Sequence, residues 1–276
     1  MRELAGKVAV VTGAGSGMGR AFARRFARER MKVAAADIDG IALEETVAGI
    51  RADGGEAIGV RTDVADPAAL KRLADETIAA FGPVHLLCNN AGVEGYLDGA
   101  IWEATDKDWT WTTEVNFWSV VHGIRTFVPL MLAHGEEAHI VNTASMTAVI
   151  TPGNMYGITK HAVLALTEVL DSDLRARDAK IGVTALCPGT IATNLFHGSR
   201  NRPVDLRNEV ETPGAREGRA LRERMHAVLA KGMSPEEVAD KVVDAVRRDA
   251  LYLLTDHEWD ERVIARHEAI LAGAVE

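Results

Sequence analysis

Residues 7–12 (KVAVVT) turn apolar and β-branched after the opening lysine, and a glycine-rich run, Gly13-Ala14-Gly15-Ser16-Gly17-Met18-Gly19, follows at once. A short unbroken run of this kind reads as a strand buried on both faces. The amphipathic pattern that follows, to about residue 30, reads as a helix. Strand, glycine turn and helix together form a setting in which backbone N–H groups cradle a pyrophosphate. The alternative is a flexible turn with no ligand. The spacing is TGxxxGxG through Gly13, Gly17 and Gly19, a departure from the GxGxxG turn.

The alternation continues. A second strand over residues 32–36 ends in Asp37, roughly twenty residues past the glycine turn, where a ribose-binding carboxylate is expected. A carboxylate there accepts hydrogen bonds from the adenine ribose and repels an added 2′-phosphate. One such like-charge pair at about 4 Å costs on the order of 4 kcal/mol at an intermediate dielectric, which points to NAD rather than NADP. Capping the next helix is the other use for Asp37 or Asp39, and Asp39 is the better placed of the two. A helix over 41–52, a Gly54-Gly55 turn and a strand over 57–61 come next. Asp63 either contacts an adenine or caps, beside Val64; Pro67 opens a helix over 68–81. A strand over 84–88 runs into Asn89-Asn90-Ala91-Gly92, small residues and amides suited to a backbone passing close to a ligand.

Residues 106–132 read as one long apolar helix, with Trp109, Trp111, Phe117 and Trp118 as core or subunit-interface residues and Asn116 as the odd polar member. A fifth strand over 138–143 places Ser145 just past its end, on the side where open α/β sheets bind ligands. A long helix over 153–177 carries Tyr156 and Lys160, four apart and so on one face. An ordinary solvated helix face is the bland reading of such a pair. The chemical reading is a general base: a cation beside a phenol lowers its pKa from about 10. A sixth strand over 181–186 precedes Cys187-Pro188-Gly189-Thr190. Residues 190–232 break the rhythm and read as a substrate lid with its own helix over 216–230, or else as a mobile surface insertion. Ser234 and Pro235 open a helix over 236–248, residues 252–255 form a seventh strand, and 258–272 form a C-terminal helical extension.

Strands that alternate with helices imply right-handed crossovers and a parallel sheet. The expected fold class is α/β: a single-domain Rossmann fold over 1–276, doubly wound, with a seven-stranded parallel sheet and helices on both faces. The net charge of −9 argues against nucleic acid. The absence of a signal-peptide pattern or membrane-length apolar run points to the cytoplasm. The nine histidines lack metal-ligand spacing, so no metal site is expected, and Cys88 and Cys187 read as buried reduced thiols.

Taken together, Thr12-Gly13-x-x-x-Gly17-x-Gly19, Asn89-Asn90-Ala91-Gly92, Asn116, Ser145, Tyr156-x-x-x-Lys160 and Pro188-Gly189 resemble the short-chain dehydrogenase/reductase family over about residues 4–255. The resemblance implies a catalytic set of Asn116, Ser145, Tyr156 and Lys160. In it Tyr156 takes the alcohol proton as hydride leaves for NAD, and Ser145 orients the substrate oxygen. Lys160 lowers the Tyr156 pKa and holds the nicotinamide ribose, and the Asn116 backbone binds a water leading to Lys160. It further implies a phosphate turn of Gly13, Ser16, Gly17, Met18 and Gly19, with Asp37, Asp63 and Val64 on the adenosine side. Asn90, Ala91, Gly92, Pro188, Gly189, Thr190, Ile191 and Thr193 fall along the rest of the cofactor. Met146, Leu195 and Phe196 join Ser145 and Tyr156 around a small-molecule alcohol or ketone.

Two departures from the family pattern stand out. The glycine-rich ending is replaced by Thr255-Asp256-His257-Glu258-Trp259 and a helix, and the lid is longer than in minimal members. The first leaves a homo-oligomer open as dimer or tetramer. The second suggests a bulky or hydrophobic alcohol, of aryl, terpenoid or steroid-like type. The rival readings are an NADP-dependent biosynthetic ketoreductase, which Asp37 opposes, and a non-catalytic NAD(H)-sensing protein, which would be expected to lose part of the catalytic set.

Overall fold

The structure, a computed structural model, describes residues 1–209 and 214–273. Its seven strands are β1 (Val8–Thr12), β2 (Lys32–Asp37), β3 (Glu56–Arg61), β4 (Leu86–Asn89), β5 (Ala138–Thr143), β6 (Ile181–Cys187) and β7 (Tyr252–Leu254). They form one sheet in the order β3-β2-β1-β4-β5-β6-β7, and every pairing is parallel. The expected doubly wound, seven-stranded α/β sheet is what the chain forms.

Side-chain alternation along the strands feeds both faces. Ala9 and Val11 of β1 join a core with Phe22 and Phe26 of α1 (Gly17–Arg28), Val47 and Ile50 of α2 (Gly40–Ala52), and Val242 and Val246 of α8 (Pro235–Arg248). Val8 and Val10 face the other way. They pack with Leu70 and Leu73 of α3 (Pro67–Phe81), Phe127 and Met131 of α5 (Ser119–His134), and Leu170 and Leu174 of α6 (Met155–Arg175). Successive strand residues point to opposite faces, so a strand buried on both sides must be apolar throughout, as residues 8–11 are.

Helix starts follow the local chemistry. Asp39 caps α2 by accepting from the Ala42 N–H at 3.2 Å. That leaves Asp37 out of capping, as its position in the sequence implied. Asp66, rather than Asp63, caps α3. Asp63 instead accepts from the Ala65 N–H at 3.0 Å and closes a local turn. Ser234 and Glu237 form a reciprocal capping box at α8.

The segment read as one helix over 106–132 is interrupted. α4 (Asp106–Thr113) passes through a π-helical turn, Glu114–Trp118, before α5 begins. The turn presents Asn116, fully buried, to Val93, whose backbone N–H and C=O it bonds at 2.8 and 2.9 Å. An extra residue in one turn re-aims a side chain in this way, and apolar periodicity carries no sign of it.

Beyond β6 the chain forms 3-10 turns at Leu195–Asn201 and Val204–Leu206, then α7 (Ala215–Leu229). Residues 210–213 of the segment expected to form a lid lie outside the described residues. The C-terminal helix α9 (Asp260–Ala272) buries none of its residues fully. Among the described residues no helix is long and apolar enough to cross a membrane.

Candidate active site

The strand order reverses direction at β1, whose neighbours are β2 and β4. Loops leaving β1 and β4 therefore diverge and open a crevice at the C-terminal edge of the sheet. Gly13 follows β1 with φ of 67°, and a Cβ there would come within 2.9 Å of the Ala91 backbone. At Gly19 a Cβ would run into the Gly13 carbonyl oxygen. These two positions need glycine because two backbones meet there.

The loops are stitched together by Thr12 and Asn90. The Asn90 and Ala91 N–H groups donate to Thr12 Oγ1 at 2.9 and 3.2 Å, and Asn90 Nδ2 donates to the Thr12 carbonyl at 3.0 Å. The Asn90 side chain is thus occupied in tying the two loops together.

The crevice is a cleft of about 630 Å³. At one end lie Gly13, Ser16, Gly17, Met18, Asp37, Asp63 and Val64; Asn90, Ala91, Gly92 and Thr193 continue the wall, and Tyr156 and Lys160 stand further along. Gly19, Ser145, Met146, Pro188, Gly189, Thr190, Ile191 and Phe196 are not among its lining residues. Ile191 is 3% exposed and belongs to the core with α1 and α8, so only its backbone could serve a ligand. The Pro188 carbonyl accepts from the Met146 N–H at 2.9 Å, and Gly189 donates its N–H to Thr255 Oγ1 at 2.9 Å. These residues set the floor on which Ser145 rests.

The cleft's chemistry fits a dinucleotide. Asp37 accepts from the Gly15 N–H at 2.8 Å and from the Asp39 N–H at 2.9 Å, which fixes its carboxylate beside the glycine turn. A Cβ on Gly15 would press on that carboxylate, at 2.9 Å from Oδ2. The turn leads into the N-terminus of α1, where unpaired N–H groups suit phosphate.

Tyr156 owes its place to Asn154, which caps α6 by accepting from the Gly157 N–H at 3.0 Å. Lys160 lies one turn on, only 2% exposed, with Nζ 5.5 Å from the Tyr156 ring centroid. Nζ donates to the Thr143 carbonyl at the end of β5, at 2.7 Å. Ser145 begins a 3-10 turn, Met146–Ala148, and its Oγ accepts from the Thr147 N–H at 3.1 Å. Asn116 Nδ2 donates to Thr159 Oγ1 at 3.1 Å, which ties the π-helical turn to α6.

Burial pushes the Tyr156 phenol up to about 12, and the Ser145 hydroxyl pulls only part of the way back. Burial brings the Lys160 ammonium down to about 8. Lys160 donates its ammonium to the Thr143 carbonyl, and burial is the largest influence on both groups. Burial likewise raises the Cys187 thiol, to about 12, so it is a neutral neighbour. Both cysteines are free and buried, as expected.

The cleft is also lined by Thr110, Trp111, Glu114 and Val115 of α4 and the π-helical turn, and by Leu195, Gly198, Arg200, Asn201, Pro203, Asp205 and Leu206 of the segment after β6. Of these only Leu195 was anticipated as a ligand neighbour. Trp111 was read as core or interface, yet it is both buried and part of the wall. The pairs Thr110/Glu114 and Trp111/Val115 sit four apart, a helical face that could have been read as such. The segment after β6 is held by ion pairs that no local pattern encodes. Arg202 bonds Asp108 at 2.7 Å, and Arg222 bonds Asp98 at 2.7 Å with its Nε 3.6 Å from Glu94. Burial raises Glu94, only partly offset by Arg222 and Ser199. Burial also acts to raise Asp108, but hydrogen bonds from Arg202, Thr105 and Asn208 outweigh it and hold that carboxyl below its usual range.

Comparison with known proteins agrees with this architecture. A solved short-chain dehydrogenase/reductase from Burkholderia phymatum, in complex with NAD, is 43% identical and superposes with a TM-score of 0.95 over 100% of this chain and 98% of that one. The 1-deoxy-11-beta-hydroxypentalenate dehydrogenase of Streptomyces exfoliatus is 41% identical over 194 residues, 70% of each chain. A CLA biosynthesis dehydrogenase/reductase of Lactiplantibacillus plantarum is 31% identical over 275 residues, 98% of this chain and 95% of that one. The sequence model described as short chain dehydrogenase matches residues 7–203. With that match across most of its length, the glycine turn against Ala91 and the Tyr156–Lys160 pair at the sheet edge, the chain belongs to the short-chain dehydrogenase family of oxidoreductases.

Proposed function

We propose that this protein interconverts a secondary alcohol and a ketone with NAD as cofactor, and that Tyr156 is its general acid and base. The observation that carries the reading is the single cleft with Asp37 and the glycine turn at one end and Tyr156 and Lys160 further along. NAD, when bound, supplies the hydride acceptor. The chain's own residues do the rest. Asp37 favours ribose hydroxyls and disfavours a 2′-phosphate, because its fixed carboxylate accepts hydrogen bonds and repels a second anion. The NAD complex of the Burkholderia phymatum relative supports the same choice.

Tyr156, neutral with its pKa near 12, donates a proton to a ketone oxygen in reduction and must give up its own proton to serve in oxidation. Ser145 sits beside the phenol and orients the same oxygen. Lys160 holds a positive charge near the ring while anchored to Thr143, and Asn116 fixes the π-helical turn behind it.

We further propose one catalytic domain over the whole chain, with 190–232 acting as a substrate lid and 258–272 as a C-terminal extension. The substrate is bulky or hydrophobic and packs against Trp111, Val115, Leu195, Pro203 and Leu206, the apolar members of a lining that also carries Thr110, Glu114, Arg200, Asn201 and Asp205. The name of the Streptomyces exfoliatus relative, a hydroxypentalenate dehydrogenase, agrees with a substrate of that size. The test is reduced-nicotinamide formation with NAD or NADP across secondary alcohols from small aliphatic to polycyclic. Turnover with NAD on the larger alcohols is expected; turnover only with NADP, or NADH binding without turnover of any alcohol, counts against the reading.

A further inference from the structure

We propose that Arg202 is a positioning residue that sets the selectivity of the cleft for bulky over small alcohols, by fixing Trp111 and Leu206 as two sides of the substrate end. The inference rests on the function proposed above, which gives that end of the cleft to substrate.

Arg202 does not itself line the cleft; it lies behind two residues that do. Its side chain is 14% exposed and that of Asp108 is 3% exposed. One guanidinium makes three contacts. Nη1 donates to Asp108 Oδ1 at 2.7 Å, which ties the residue to α4. Nε donates to the Leu206 carbonyl at 2.8 Å, which pins the short 3-10 turn Val204–Leu206. Its Cζ lies over the Trp111 indole, 5.0 Å from the ring centroid.

Asp108 is immobilised in turn. Its Oδ2 accepts from the Thr105 N–H at 3.0 Å and from Thr105 Oγ1 at 2.8 Å, and Asn208 Nδ2 lies 3.3 Å from both carboxylate oxygens. The link spans 94 positions in the chain and joins α4, which supplies Trp111 to the cleft, to the segment after β6, which supplies Leu206.

Only a planar, forked donor can do all three things at once. A lysine in its place carries the charge but has neither the fork nor the flat face that stacks on an indole. Without the clamp, Trp111 loses the cation on its ring and Leu206 loses the donor on its carbonyl. The wall then stops holding one shape. A large substrate that fills the pocket depends on that shape; a small one touches little of it.

The experiment compares Arg202→Met, Arg202→Lys and Asp108→Asn with the wild type, with 2-propanol and the bicyclic alcohol borneol as probes and NAD as cofactor. Folding is checked by thermal unfolding and NADH affinity by fluorescence titration. The expected result is a fall of about tenfold or more in the ratio of kcat/KM for borneol to that for 2-propanol in Arg202→Met, carried by KM for borneol. Arg202→Lys recovers part of the ratio, and Asp108→Asn, which keeps the shape of the partner, gives a smaller fall of the same sign. Equal loss on both alcohols, or a loss of NADH affinity that matches the loss of activity, overturns the proposal and leaves the assigned function standing. Wild-type protein that turns over neither alcohol overturns the assigned function, and the role of Arg202 with it.

Discussion

Lys160 Nζ donates a hydrogen bond to the carbonyl oxygen of Thr143 at 2.7 Å, and the lysine is 2% exposed. This bond fixes a cation to the last residue of β5, beneath the cleft. It also means that the folded protein carries a buried ammonium whose pKa has come down to about 8 from an ordinary 10.5.

That shift makes a prediction about stability. A lysine whose pKa is lower in the folded state binds fewer protons there than in the unfolded chain. Wild-type stability therefore gains a contribution as pH rises from 8 to 10.5, of about 3 kcal/mol in full. Lys160→Met lacks that contribution. Urea unfolding of the two proteins as a function of pH should show Lys160→Met relatively most stable below pH 8, with its advantage shrinking as pH rises toward 10.5. A difference that does not change over this range contradicts the buried, charged lysine.

The Tyr156 phenol, pushed up to about 12, predicts the pH dependence of turnover. Alcohol oxidation needs the phenol to lose its proton, so its rate should climb as pH rises above neutrality. Ketone reduction uses the protonated phenol, which stays almost fully protonated until the pH nears 12, so its rate should hold over the same range. Initial rates in both directions check this; an oxidation rate that peaks at neutral pH does not fit.

Asp37→Asn removes the charge at the end of β2 and keeps an acceptor for the Gly15 or Asp39 N–H. The preference for NAD over NADP in kcat/KM should fall by about tenfold or more, the size of a like-charge cost above roughly 1.4 kcal/mol. Unchanged discrimination moves the ribose contact to another residue.

Gly19→Ala forces a methyl group into the Gly13 carbonyl and to 2.7 Å from Asn90 Nδ2. It should destabilise the fold by about 1–3 kcal/mol and lower NADH affinity, because the turn must shift. Gly153→Ala is the control: a Cβ there meets nothing within 4 Å, and its effect should stay within about 0.5 kcal/mol. Unfolding midpoints and NADH titration check both.

Much of this site is visible in the sequence because its parts are local. Gly13, Gly17 and Gly19 sit between a buried strand and a helix, Tyr156 and Lys160 are one helical turn apart, and Asp37 ends an apolar run. The sheet was legible for the same reason: residues 8–11 of β1 and 33–36 of β2 are apolar on both faces. What stayed hidden is nonlocal. The Arg202–Asp108 pair spans 94 positions, the Thr12–Asn90 stitches join loops 78 apart, and nothing in the periodicity of 106–132 marks the π-helical turn at Asn116. Spacing shows which charge lies near Tyr156 but not how much water is removed from it. In this site the removal of water dominates.

The most direct test of the central claim is the rate of hydride transfer in Tyr156→Phe, measured in a single turnover with saturating NAD and a secondary alcohol that the wild type oxidises. The substitution removes one hydroxyl and leaves the ring, the cap at Asn154 and the Lys160–Thr143 bond in place. The account predicts unchanged NADH binding and a rate lower by about two to four orders of magnitude, the usual size of a general acid–base contribution. A rate within about tenfold of the wild type would show that another group moves the proton, and that Tyr156 is not the base.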